Sequence, residues 1–100
     1  MASKNVIEPG KDLFESIHGK WNEFFGNDNQ NVIELACGWG EYTIALAEKF
    51  PDKNFIGIDI IGDRIWKGSQ YALKNDLDNV AFLRTHIIEI LKLFDEDELD

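Results

Sequence analysis

The sequence predicts an α/β domain built on a parallel sheet, the first half of a doubly wound fold: three parallel strands with flanking helices and a leading helix. Three observations predict it. Short apolar runs at 31–35, 54–59 and 80–84 alternate with stretches of helical periodicity. The links between them are short and carry Gly, Pro, Asn and Asp. A glycine-containing turn joins the first run to its helix. Strands linked by helices at such intervals lie parallel, with right-handed crossovers.

Each element has its own signal. Leu13, Phe14, Ile17, Trp21, Phe24 and Phe25 fall on one face of an amphipathic helix over 12–25. His18 lies on that helix beside apolar positions and reads as structural. Gly26-Asn27-Asp28-Asn29 stops the helix. The first strand, 31–35, runs into the turn 36–40 and a helix over 41–50 with Tyr42, Ala45, Leu46 and Phe50 on one side. Pro51-Asp52 breaks that helix and the strand 54–59 follows. Gly62 opens a third helix with Ile65, Ser69, Ala72 and Leu73 inward. Trp66 and Tyr71 read as packing residues. A polar connection over 75–79 leads to the strand 80–84, a last helix over 87–94 and an acidic tail. Residues 1–29 are thus expected as an N-terminal helical extension and 30–100 as a half domain, truncated where a fourth strand would begin. A complete small domain is the alternative.

Composition narrows the class. Apolar residues make up 44% of the 100, enough for one packed core and too few residues for two. No apolar run approaches the roughly 20 residues of a membrane-spanning helix, so no membrane partner is expected. A lone cysteine, Cys37, excludes an internal disulfide and predicts a reducing, cytoplasmic setting. No Cys/His cluster has metal-binding spacing. The formal charge of −9 supplies no basic patch, so either RNA is not a partner or its surface is expected outside these residues.

The chemistry-bearing stretch is Glu34-Leu35-Ala36-Cys37-Gly38-Trp39-Gly40, between a strand and a helix. Glycine there permits a sharp turn and close approach of a ligand. About twenty residues further on, the second strand ends in Asp59, an acid suited to the hydroxyls of a ribose. The third glycine of a dinucleotide fingerprint is missing after Gly38 and Gly40, and Glu34 and Glu41 would repel a pyrophosphate. S-adenosylmethionine carries a sulfonium and an ammonium and no phosphate, so carboxylates attract it. The electrostatics favour that methyl donor.

The stretch 34–43, followed by Gly57-Ile58-Asp59-Ile60-Ile61-Gly62-Asp63-Arg64-Ile65-Trp66, resembles the bacterial tRNA (guanine-N7) methyltransferases, which use a Rossmann-like class I methyltransferase sheet. Asn79 to His86 continues the resemblance, which covers roughly 30–94. It implies S-adenosylmethionine as cofactor, tRNA as partner, and a donor site formed by Glu34, Ala36, Gly38, Gly40, Asp59 and His86. Glu34 would lie near the methionine end, Asp59 at the ribose and His86 beside the adenine. The chain departs from the family's pattern at Ala36, where the first glycine usually stands, at Trp39, where a smaller or basic residue is expected, and at His86, where aspartate is usual. The proline-rich guanine-pocket motif is not among these residues. Rival readings are a methyltransferase of the same fold acting on a small molecule or protein, and a non-catalytic nucleotide-binding or interaction module. The strand 31–35, central in a complete sheet, would here present an open edge and favour a homo-oligomer.

Overall fold

A computed structural model describes residues 5–7, 16–35, 40–59, 62–85 and 93–94. Among them the elements run β1 (Val6–Ile7), α1 (Trp21–Phe25), β2 (Gln30–Leu35), α2 (Glu41–Lys49), β3 (Lys53–Asp59), α3 (Gly62–Lys74) and β4 (Val80–Arg84). The four strands form one sheet in the order β1-β4-β3-β2, and every pairing is parallel. The α/β class and the three expected strands are present. Among the described residues no helix is long and apolar enough to cross a membrane.

The fourth strand is new relative to the sequence reading. Val6 and Ile7 pair with Phe82 and Leu83 of β4, and the Phe82 N–H donates to the Asn5 carbonyl at 2.7 Å. Two residues are too short a run for side-chain alternation to register. Ser69 Oγ donates to Asn5 Oδ1 and Asn5 Nδ2 donates to the Ser69 carbonyl, which ties β1 to α3. The leading segment therefore contributes a strand as well as a helix.

Its helix is also shorter than the 12–25 span expected. Of that span, 12–15 lie outside the described residues; Ser16 is helical, 17–20 form a turn, and α1 starts at Trp21. Gly19, at φ +76°, takes the left-handed conformation that ends one helical stretch, and the Lys20 N–H donates to the Ile17 carbonyl at 2.8 Å. His18 sits exposed in this turn and not on a helix face. Gly26 caps α1 in the same left-handed conformation, so the expected stop is where the sequence puts it.

Alternation along the strands gives the sheet two apolar faces, as a buried parallel sheet requires. On one face Phe55, Val80, Phe82 and Val6 pack against Ile44 and Ala47 of α2 and Ile65 and Ala72 of α3. On the other, Ile56, Ile58, Ala81, Leu83 and Ile7 pack against Ile17, Trp21, Leu93 and Phe94. Trp21 is fully buried; its ring stacks on Phe94 at 4.7 Å and its indole N–H donates to the Leu93 carbonyl at 2.8 Å. That bond satisfies the indole's one donor in an apolar setting.

Helix α3 buries Ile65, Ser69 and Ala72 as expected, while Trp66 and Tyr71 are 39% and 42% exposed. Helix α2 is rotated from expectation: it buries Thr43, Ile44 and Ala47, and Tyr42 is 64% exposed. The rotation follows from Thr43, whose hydroxyl finds a partner beneath the helix and so can be buried. A polarity pattern counts such a residue as outward-facing. The last expected helix lies outside the described residues except for 93–94.

Candidate functional site

Ligands of open α/β sheets bind outside the carboxyl ends of the strands. Here β2 and β3 end side by side: Glu34 pairs with Gly57, Leu35 with Ile58, and Asp59 extends one residue further. Partners in a parallel pair share a face, and Asp59 stands two residues past Gly57. Glu34 and Asp59 therefore project from the same face, the one covered by α2 and α3.

Glu34 is half-buried, and one of its carboxylate oxygens, Oε1, accepts a hydrogen bond from Thr43 Oγ1 in the first turn of α2. The positive end of a helix is a favourable place for a carboxylate. Asp59 is 8% exposed, and its carbonyl accepts the Thr85 N–H at 3.0 Å, which fixes the end of β3 against the residue following β4. Arg84 occupies the register position beside Asp59.

Gly40 begins α2 for two separate reasons. Its φ of +84° is a conformation that side chains with a Cβ disfavour. A Cβ there would also stand 2.4 Å from Cε1 of the buried Phe82 ring. The backbone thus settles onto the phenyl ring, and the Ile44 N–H closes the first turn on the Gly40 carbonyl at 2.8 Å. This seating sets the height at which Thr43 meets Glu34.

Of the six residues singled out from sequence, the structure brings Glu34, Gly40 and Asp59 to one end of the sheet. Ala36, Gly38 and His86 lie outside the described residues, as do Cys37 and Trp39. Sequence reasoning missed Thr43 and Phe82. The signal for Thr43 was its place in the first turn of a helix that follows a strand ending in a carboxylate. Phe82 gave none, since a core phenylalanine is ordinary until its ring is seen under a glycine. Chemically, the site offers two carboxylates, with exposed Glu41 nearby at the start of α2. Such a set suits hydroxyls and cationic nitrogen and opposes phosphate.

A family profile described as "Methyltransferase domain" matches residues 26–100. The chain belongs to this methyltransferase domain family. The tRNA (guanine-N(7)-)-methyltransferase of Christiangramia forsetii is 53% identical to it over 102 aligned positions, covering 96% of this chain and 45% of that protein. The corresponding enzyme of Bacteroides thetaiotaomicron is 57% identical over 77 residues, covering 76% of this chain and 30% of its own length. The chain thus spans less than half the length of these curated relatives. Among solved structures, PKMT2 from Rickettsia typhi in complex with AdoHcy superposes with a TM-score of 0.54 at 26% identity, covering 69% of this chain and 13% of that one. The sheet described above is therefore a class I methyltransferase sheet.

Proposed function

We propose that this methyltransferase domain binds S-adenosylmethionine and belongs to an enzyme that methylates N7 of a guanine in tRNA. The observation that carries the donor assignment is the pair of carboxylates, Glu34 and Asp59, on adjacent strand ends beside a helix that starts at a glycine. Asp59 is suited to accept from ribose hydroxyls, and Glu34 to accept from the ammonium of the methionine end. Ala36, Gly38 and Gly40 would form the turn against the donor, and His86 would lie at the adenine. The set fits the donor because it offers acceptors and negative charge, which oppose a phosphate. The names of the relatives support the acceptor assignment.

When bound, the donor supplies an activated methyl on sulfur. Guanine N7 has an unprotonated lone pair at neutral pH, so the protein need not remove a proton. The contribution of these residues is then alignment and electrostatic setting. In this reading residues 30–100 form the donor-binding half and 1–29 an N-terminal extension, whose Val6–Ile7 joins the sheet. The tRNA surface belongs to residues outside this acidic stretch, the enzyme is cytoplasmic, and the edge position of β2 among the described residues supports self-association of the isolated chain.

Calorimetry on the complete gene product tests the donor. S-adenosylhomocysteine should bind more tightly than NADH, and Asp59→Asn should weaken it by about tenfold, the loss of one charge-assisted bond. Tighter binding of NADH would overturn the cofactor. Tritiated methyl should enter unmodified bacterial tRNA with the complete gene product and not with the 100-residue chain. Donor binding without any transfer to tRNA would move the enzyme to another substrate.

A further inference from the structure

We infer that Thr43 is a positioning residue, aiming the Glu34 carboxylate at the ammonium end of the donor. The inference rests on the donor reading above and adds a residue to it. Thr43 is 1% exposed and lies in the first turn of α2. A threonine hydroxyl within a helix ordinarily bonds back to a carbonyl one turn earlier. Here it donates instead to Oε1 of Glu34, a residue on a different element nine positions earlier. A hydroxyl has one proton to give, so this bond commits it.

The bond matters because glutamate is a poor ligand group unless it is held. Its three side-chain torsions let the carboxylate wander, and ordering it on binding would weaken affinity. With Oε1 engaged by Thr43, the carboxylate plane is set, and Oε2 has lone pairs of its own with which to accept from an N–H donor. Thr43 is itself held by the chain of contacts beneath it. Phe82 supports Gly40, Gly40 fixes the start of α2, and the first turn delivers the hydroxyl. The site is thus preorganised from the core outward.

The test compares two ligands that share the adenosine end and differ at the other. S-adenosylhomocysteine has the amino-acid end; 5′-methylthioadenosine lacks it. In the complete gene product, Thr43→Val should weaken S-adenosylhomocysteine by about tenfold, the size of one hydrogen bond to a charged group, and change methylthioadenosine by less than about twofold. Thr43→Ser keeps the hydroxyl and should stay within about threefold of the parent for both. In a Glu34→Gln background, Thr43→Val should add nothing, as expected for two residues acting through one contact. Equal weakening of both ligands would make Thr43 merely structural and overturn the proposal. So would full affinity in Thr43→Val, or additive losses in the double variant. Should Thr43→Val fail to fold, Thr43→Ala gives the same comparison. A parent protein that binds neither ligand overturns the donor reading itself, a result distinct from the others.

Discussion

The two ends of this sheet are built from different materials. At the amino ends of β2 and β3 the polar groups are asparagines, and they satisfy one another. Asn54 and Asn31 pair in register; Asn54 Nδ2 donates to Asn31 Oδ1 at 2.9 Å and to Asn27 Oδ1 at 2.8 Å. Asn31 Nδ2 donates to Asn22 Oδ1 at 2.9 Å, and Asn22 Nδ2 to the Asn29 carbonyl at 2.8 Å. Nearby, Asn79 Nδ2 reaches the carbonyls of Ala47, Phe50 and Lys53 at 2.9–3.2 Å. At the carboxyl ends the polar groups are carboxylates, and a buried hydroxyl engages one oxygen of Glu34. The amino end spends its amides on one another and on the fold, whereas the carboxyl end gathers negative charge where a ligand of this sheet would bind. Stability and binding are thereby assigned to opposite ends of the same strands.

The largest expected effect comes from the one position where the two demands meet. Gly40→Ala would place a methyl group 2.4 Å from the Phe82 ring in a left-handed backbone conformation. Strain of that conformation and overpacking of the ring each cost about 1–2 kcal/mol. We expect a loss of about 3 kcal/mol in urea unfolding, together with loss of S-adenosylhomocysteine binding in calorimetry. Unchanged stability with intact binding would mean that the turn is not seated on Phe82 as described.

Next in size is Asn54→Ala, which sharpens the comparison because it should separate the two ends. Asn54 is fully buried, and its truncation leaves Asn27 and Asn31 without their shared partner. Leaving buried polar groups unsatisfied costs about 2 kcal/mol. Urea unfolding should show that loss, while calorimetry on the folded fraction should show unaltered affinity for S-adenosylhomocysteine. A parallel fall in affinity would join the two ends and break the comparison.

Much of this arrangement was legible beforehand. The strands at 31–35, 54–59 and 80–84 and the helix opened by Gly62 were visible because β-branched runs and helical periodicity are strong local signals. Glu34 and Asp59 were visible because an acid at a strand end next to a glycine turn is a local pattern too. What escaped was non-local. The strand at Val6–Ile7 exists through its pairing with β4, a partner 76 positions away in register. Asn27 and Asn29 read as turn residues and Asn31 and Asn54 as strand starts, since nothing in their spacing says that they bond to one another. Trp66 and Tyr71 were read as packing residues from their chemistry alone, and on α3 each keeps about two fifths of its surface exposed.

The smallest expected effect lies on α2 itself. Tyr42 and Thr43 are adjacent in the motif that suggested the site, and the apolar pattern of the sequence ranks Tyr42 as the inward one. The structure reverses that rank: Thr43 is buried with its hydroxyl on Glu34, and Tyr42 is 64% exposed. Surface substitutions away from caps and buried networks change stability by about 0.5 kcal/mol or less. Tyr42→Ser should therefore leave the urea midpoint within that range and the affinity for S-adenosylhomocysteine within about twofold. Helix propensity is nearly the same for the two side chains, so neither change is offset by the other. A tenfold loss of affinity in Tyr42→Ser would place the ring in the site, and the outer face of α2 would then belong with the binding end of the sheet.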